Sequence, residues 1–370
     1  MRVLALLAPI LLASCTASMP DLPAPTGGEV TVFVPGYKGS FLREGSGDRA
    51  WLTVGQVLSS GDRSLALPFP GERPAQRYGP LEPDGPLTRF SVLPLLVRRD
   101  VYLGFLEFGR DALPGFVAFS YDWRKDVRES GASLCGLLDQ LVARQGSSLR
   151  VNLVSHSMGG LLSLQCLRSQ SPGARSVRRA VFVGTPFRGA ADIFKDFLEG
   201  TETGRNRALI SREALFTFAA AFQLLPAESD FFVDAEGRKV ALELFATQTW
   251  LDRGLGVFAD PALRTDPGYL AQLSRMLASH EAVARDVRPL PPFEALAVVG
   301  KGRETVSGVR VLGAGFDLSH NPRTDGDGSV PVSSAVPAFA ADLFESREEH
   351  TALLGAQAVQ QAILKFIVHK

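Results

Sequence analysis

The sequence predicts an α/β protein in which a mostly parallel central sheet is covered on both faces by helices. Three observations carry this. Short, almost continuously apolar runs end at turn residues; helical patterns lie between them; and one run leads through a serine-containing tight turn straight into a helix. Strands buried on both faces read as such runs. Their alternation with helices points to parallel pairing through crossovers.

The chain begins with an address. Arg2 supplies one positive charge, and Val3 to Leu12 are apolar apart from Pro9. A bilayer core needs roughly 20 helical residues to cross, so this shorter run reads as an export signal. Leu12-Ala13-Ser14-Cys15 resembles a bacterial lipoprotein box, with cleavage after residue 14 and lipidation of Cys15. An incidental cysteine in an ordinary signal peptide is the plainer alternative. Acyl chains can anchor a protein without a spanning helix, so the expected location is the bacterial cell envelope, at the outer membrane or periplasmic face. Residues 15–28 are rich in Pro, Ala and Gly and read as a tether.

Strand-like runs follow at 29–34, 116–120, 150–154, 180–183 and 295–299, with helical patterns at 132–144, 158–169 and 351–368. These place the core at 29–186 and 293–370. Two gaps are too long for connections. Residues 35–115 contain an insertion at 41–100, with seven prolines from Pro68 to Pro94. Residues 187–292 form the second, a cap or lid with helical patterns at 211–225 and 269–287. Phe216, Phe218, Phe222, Phe231 and Phe232 suit either an apolar ligand or the cap's own core.

Composition narrows the partners. Lys+Arg and Asp+Glu are both 39, which removes the electrostatic argument for a nucleic-acid partner. Three cysteines without a Cys-x-x-Cys pair, and five scattered histidines, leave neither a disulfide scaffold nor an expected metal or cofactor site. Cys135 and Cys166 lie in separate helical stretches; a disulfide and two buried thiols both fit. Collagen, coiled coil, disorder and a multi-pass membrane protein are excluded. The oligomeric state is not indicated.

The chemistry centres on Ser155-His156-Ser157-Met158-Gly159, a variant of Gly-x-Ser-x-Gly between a buried strand and a helix. Such a turn holds its serine in a strained conformation at the carboxyl edge of a sheet, and small residues stand two positions either side. Ser155 keeps that position small. A serine needs a base, and the base needs a carboxylate to hold its tautomer. The chain order in this arrangement is Ser, acid, His. The acid comes from the turn Asp325-Gly-Asp327-Gly-Ser-Val-Pro, where Asp327 and Asp325 compete. Only His350 and His369 follow it; His369 is penultimate, so His350 is the candidate base. The backbone N–H of Met158 supplies one oxyanion donor, and the loop 35–40 supplies the second.

Five segments occur in order: Val34-Pro-Gly-Tyr-Lys-Gly-Ser-Phe-Leu, Phe119-Ser-Tyr-Asp-Trp-Arg, Ser155-His-Ser-Met-Gly-Gly, Gly184-Thr-Pro-Phe-Arg-Gly and Gly326-Asp-Gly-Ser-Val-Pro. With the late His350 they resemble the lecithin:cholesterol acyltransferase family, which includes phospholipid:diacylglycerol acyltransferases and lysosomal phospholipase A2. The resemblance implies an α/β-hydrolase fold, Ser157 as nucleophile, Asp327 rather than Asp325 as acid, His350 as base, and Lys38 with Met158 as oxyanion donors. Two residues depart from the family pattern. Ser155 replaces a glycine, and Lys38 stands where an apolar residue is usual. Asp122 and Arg124 read as a structural ion pair bracing the loop.

The expected activity is acyl-ester hydrolysis or O-acyl transfer on lipid esters through an acyl-enzyme on Ser157, with membrane association through Cys15. A lipase or carboxylesterase acting on soluble esters would use the same residues. The non-enzymatic alternative is a lipid-binding lipoprotein on a hydrolase scaffold.

Overall fold

In the computed structural model of the chain, which describes residues 28–368 apart from 62, 74, 94–96 and 228–230, six strands form one sheet. The expected export signal, Cys15, most of the expected tether and His369 lie outside the described residues. The strand order is Asp342–Ser346, Glu294–Gly300, Val177–Val183, Arg150–His156, Glu29–Val34, Val117–Ala118. Every pairing is parallel.

Side-chain alternation sorts the two faces. Val30, Val32, Val34, Val151 and Leu153 pack on one side with the helices Val127–Gln145 and Met158–Ser169. Phe33, Val154, Val181 and Val183 pack on the other with Leu103–Ala112 and Gln357–Val368. Truncating a buried phenylalanine such as Phe33 to alanine costs about 3–5 kcal/mol.

Local chemistry sets the bounds of the helix Val127–Gln145. Asp126 accepts the Arg128 N–H as N-cap, Glu129 sits in the first turn, and Gly146 at φ 92° ends it. A Cβ on Gly131 would lie 2.8 Å from the Leu162 carbonyl oxygen, so this glycine lets the helix approach its neighbour closely. Cys135 and Cys166 join the same two helices in a disulfide, which resolves the pair left open by the sequence.

Three expectations change. The edge strand Asp342–Ser346 has no sequence signature, because its DLFES residues are mostly half-buried or exposed. The pattern at 211–225 breaks into Arg212–Leu215 and Ala219–Gln223, with the Thr217 hydroxyl donating to the Ala214 carbonyl at the break. The last helix starts late. His350–Gly355 is a 3₁₀ turn, and Gln357–Val368 is the α-helix.

Phe216, Phe218, Phe222, Phe231 and Phe232 of the second insertion are all buried in the main core. The first insertion joins that core too: Leu65 N–H bonds the Leu209 carbonyl at 2.9 Å, and Leu67 N–H bonds Thr217 Oγ1 at 2.8 Å. Among the described residues, no helix is long and apolar enough to cross a membrane.

Candidate active site

Ser157 sits between the strand Arg150–His156 and the helix Met158–Ser169, with φ 54° and ψ −129°. A non-glycine residue at positive φ is costly and must be held by its surroundings. Its N–H donates to the Val183 carbonyl at 2.8 Å. A Cβ on Gly159 would lie 2.5 Å from the Val34 carbonyl oxygen, so the glycine here is sterically required. Ser155 is fully buried, yet it fits, because its hydroxyl lies 2.8 Å from the Ser163 hydroxyl.

Ser157 Oγ lies 2.9 Å from His350 Nε2, and His350 Nδ1 lies 2.7 Å from Asp327 Oδ2. The three come from the centre of the sheet, the 3₁₀ turn before the last helix, and the turn after the strand Arg323–Gly326. Asp327 is 1% exposed and Ser157 9%. The other Asp327 oxygen accepts the N–H groups of Ser329 and Val330 at 3.0 and 2.7 Å, and its backbone carbonyl accepts the His350 N–H at 3.0 Å. Burial opposes ionisation of Asp327, but the bond and charge of His350 and the two N–H groups outweigh it and hold the carboxyl below its usual range. Burial also opposes protonation of His350, and the Asp327 bond and charge, aided by Asp192, outweigh it and raise the imidazole. Asp325 is placed elsewhere, exposed in the strand and bonded to the Gly302 N–H.

Met158 begins the elbow helix, where a first-turn N–H has no intrahelical partner. The loop from Pro35 to Ser40 is braced on several sides. Tyr121 Oη donates to the Pro35 carbonyl at 2.9 Å, and Trp123 Nε1 to the Ser40 carbonyl at 3.1 Å. Trp51 Nε1 donates to the Lys38 carbonyl at 3.1 Å. These bonds explain the Tyr-Asp-Trp-Arg segment as scaffolding. Asp122 and Arg124 form a buried two-armed pair at 2.8 and 2.7 Å, and Arg124 also donates to the Leu65 carbonyl at 2.9 Å.

Lys38 has φ 60°. Its ammonium leaves the loop for the second insertion, donating to Thr201 Oγ1 at 3.1 Å and standing 3.5 Å from Asp196. Burial lowers its affinity for the proton, while Asp196 and Asp192 counteract this.

Four residues at the site carry no recognised role in the sequence reading. Gly184 has φ 56°, and a Cβ there would lie 3.1 Å from His350 Nδ1 and 3.2 Å from Asp327 Oδ2. Its place in Gly184-Thr-Pro-Phe-Arg-Gly was a visible signal. Asp192 is exposed to solvent. The surrounding protein pushes its carboxyl up to about 6 against the pull of His350, with Asp196 and Asp327 adding to the rise and Lys38 opposing it. Tyr102 and His156 have no signal beyond residue type. Among the described residues, no group of three His, Cys, Asp or Glu side chains could hold a metal.

A family model described as lecithin:cholesterol acyltransferase matches residues 105–248, a span that includes Ser157 and ends before Asp327 and His350. An uncharacterized protein of Saccharomyces cerevisiae, YJR098C, is 26% identical over 232 residues, covering 60% of this chain; the chain spans 33% of that protein's length. A chain in the crystal structure of the Tle4–Tli4 complex has the same fold, with 14% identity, TM-score 0.52, and coverage of 91% of this chain and 97% of that one. Bacillus licheniformis lipase BlEst2 in mature form aligns with TM-score 0.38 and 14% identity over 94% of this chain and 95% of its own.

Proposed function

We propose that this chain, which has an α/β-hydrolase fold and matches the lecithin:cholesterol acyltransferase family model over residues 105–248, cleaves or transfers acyl groups of lipid esters through Ser157. The observation that carries the proposal is the hydrogen-bonded series from Ser157 Oγ through His350 to Asp327. His350 removes the serine proton as Oγ attacks the ester carbonyl, and Asp327 holds the imidazole with its proton on Nδ1. The N–H groups of Met158 and Lys38 receive the negative charge that develops on the carbonyl oxygen; one such donor contributes roughly 10²–10³ in rate. His350 then protonates the departing alcohol, and the acyl group on Ser157 passes to water or to a second alcohol.

Hydrolysis and transfer use the same residues up to the acyl-enzyme, so the acceptor decides between them. Long-chain esters, with phospholipid as acyl donor, are supported by the family match and by an expected lipid anchor on Cys15. We propose residues 1–14 as the export signal and the bacterial envelope as the site of action, on the Leu12-Ala13-Ser14-Cys15 pattern. The domain reading is likewise proposed: a core at 29–186 and 293–370 with a cap at 187–292 above the carboxyl edge of the sheet.

The test incubates purified protein with labelled phospholipid vesicles, with and without a sterol or diacylglycerol, beside Ser157→Ala. Free fatty acid alone identifies a hydrolase; a new neutral ester identifies a transferase. Acyl release by Ser157→Ala equal to that of the native protein would sink the nucleophile assignment. Release from soluble short-chain esters only would favour a carboxylesterase. Cys15→Ser is expected to move the protein from the membrane to the soluble fraction.

A further inference from the structure

The reaction centre is held together by a buried polar series that contains none of the three side chains just described. The Gly36 N–H donates to Tyr102 Oη at 3.0 Å. Tyr102 Oη lies 2.8 Å from His156 Nδ1, and His156 Nε2 lies 3.0 Å from the backbone carbonyl oxygen of His350. Counting donors fixes the direction. A carbonyl only accepts, so Nε2 of His156 carries a proton. In a neutral imidazole Nδ1 is then the acceptor, and the Tyr102 hydroxyl must donate to it. The Tyr102 oxygen keeps a lone pair for the Gly36 N–H, and every member is satisfied.

The surroundings hold the protons in these positions. Tyr102 and His156 are 3% and 4% exposed. Burial first, then the neighbouring His350, lowers His156 to about 3, so the ring stays neutral at ordinary pH. Burial raises Tyr102, so its hydroxyl keeps its hydrogen. Packing adds to this: the His156 ring lies edge-on to Tyr102 at 5.5 Å and 4.9 Å from the His350 ring. A Cβ on Gly36 would lie 2.8 Å from Ser157 Cβ and 3.2 Å from His156 Nδ1. The oxyanion loop, the nucleophile turn and the base are therefore joined by one relay.

We propose that Tyr102 and His156 are positioning residues of the acyl-transfer centre, setting the spacing between the oxyanion loop, Ser157 and the His350 imidazole through the Gly36–Tyr102–His156–His350 hydrogen bonds. The proposal rests on the reading of Ser157 as nucleophile. Tyr102 stands at the start of the helix Leu103–Ala112, just after the first insertion. That segment thus reaches the centre from the sheet face opposite the elbow helix. Geometry of this kind controls rate because small misplacements of reacting groups are expensive.

Three variants separate the bonds. Tyr102→Phe removes one oxygen. His156→Gln keeps a donor in reach of the His350 carbonyl, and His156→Asn keeps only an acceptor for Tyr102. Each is compared with the native protein in turnover of p-nitrophenyl butyrate, in the rate of fluorophosphonate labelling, and in melting temperature. Tyr102→Phe is expected to lower kcat and the labelling rate roughly tenfold while KM moves less than about twofold. His156→Gln should retain more activity than His156→Asn, because it preserves the bond to the base. Ring ¹⁵N spectra, assigned with the His156 variants, should show the Nε2–H tautomer of His156 unchanged from about pH 5 to about pH 9.

A kcat for Tyr102→Phe within about twofold of native, or an Nδ1–H tautomer for His156, would overturn the relay. The reading of Ser157 fails separately: if the probe leaves the native protein unlabelled, both ideas fall. If it labels native and Tyr102→Phe at the same rate, only the relay falls.

Discussion

A single methyl group at position 184 would intrude between the His350 imidazole and the Asp327 carboxylate that orients it. Gly184 leaves the strand Val177–Val183 at φ 56°, and its absent Cβ leaves room for His350 Nδ1 and Asp327 Oδ2. Gly184→Ala is therefore expected to lower the fluorophosphonate labelling rate by roughly 10–100-fold, far more than unfolding explains. An unchanged labelling rate would remove this role. Charge at the same pair sets the pH dependence. Burial alone would lower His350, but Asp327 and Asp192 raise it above its ordinary value, and the base acts only when neutral. The acid limb of kcat/KM should therefore lie above about pH 6.5. Asp327→Asn should lower kcat by about 10⁴, through the wrong tautomer, and move that limb to lower pH. Asp192→Asn should move the limb the same way with a smaller loss of kcat. A limb unmoved in both variants would contradict the electrostatic account.

Two ties between elements serve different ends. The Cys135–Cys166 disulfide closes 31 residues of chain and joins the elbow helix to its packing partner. Loop-closure entropy assigns such a bridge roughly 3–4 kcal/mol. Reduction should lower the melting temperature while leaving kcat of the folded protein nearly unchanged. The Lys38 tie is thermodynamically smaller and closer to the chemistry. A non-glycine residue in the left-handed region costs roughly 1–2 kcal/mol. At Lys38 this is offset by the contacts of its ammonium with Thr201 and Asp196 and of its carbonyl with Trp51. Lys38→Met should loosen the oxyanion loop, reducing kcat with little change in melting temperature. A large stability loss with kcat intact would show that the tie supports the cap rather than the loop.

Over the whole molecule, buried neutral histidines make the fold acid-sensitive. His280 lies in the helix Pro267–Ala284, its Nδ1 donates to the Phe222 carbonyl at 2.9 Å, and its ring stacks on Phe245. Burial lowers it to about 4, partly offset by that bond, and lowers His156 to about 3. Below about pH 6.5 the unfolded chain binds protons that the native state refuses, so stability falls as pH drops toward those values. Asp327, held below its usual range, acts in the same direction at lower pH: its contribution is present above the unfolded value and lost on acidification. His350 acts oppositely, its contribution being lost as pH rises through its raised value. Melting temperatures measured at about pH 7.5 and about pH 5 should therefore fall with acid, and His280→Leu should narrow the gap. Equal melting temperatures at both pH values would refute this.

The sequence by itself determined whatever is written in a few adjacent residues. Runs such as EVTVFV and EALAVVG are largely apolar because both sheet faces are covered, and a serine between small residues ahead of a helix specifies its turn. The expected order of serine, acid and histidine came from the fold arrangement that this turn implies, since Ser157, Asp327 and His350 lie far apart along the chain. Tertiary structure alone decided what depends on distant partners. Tyr102 meets His156 across 54 residues, and His156 meets the His350 carbonyl across 194; no local pattern marks such a pair. The disulfide depended on two helices packing at Gly131, and the edge strand Asp342–Ser346 on a neighbour to supply its hydrogen bonds. Periodicity records which face of an element is buried, whereas the identity of the group opposite is settled only when the elements pack.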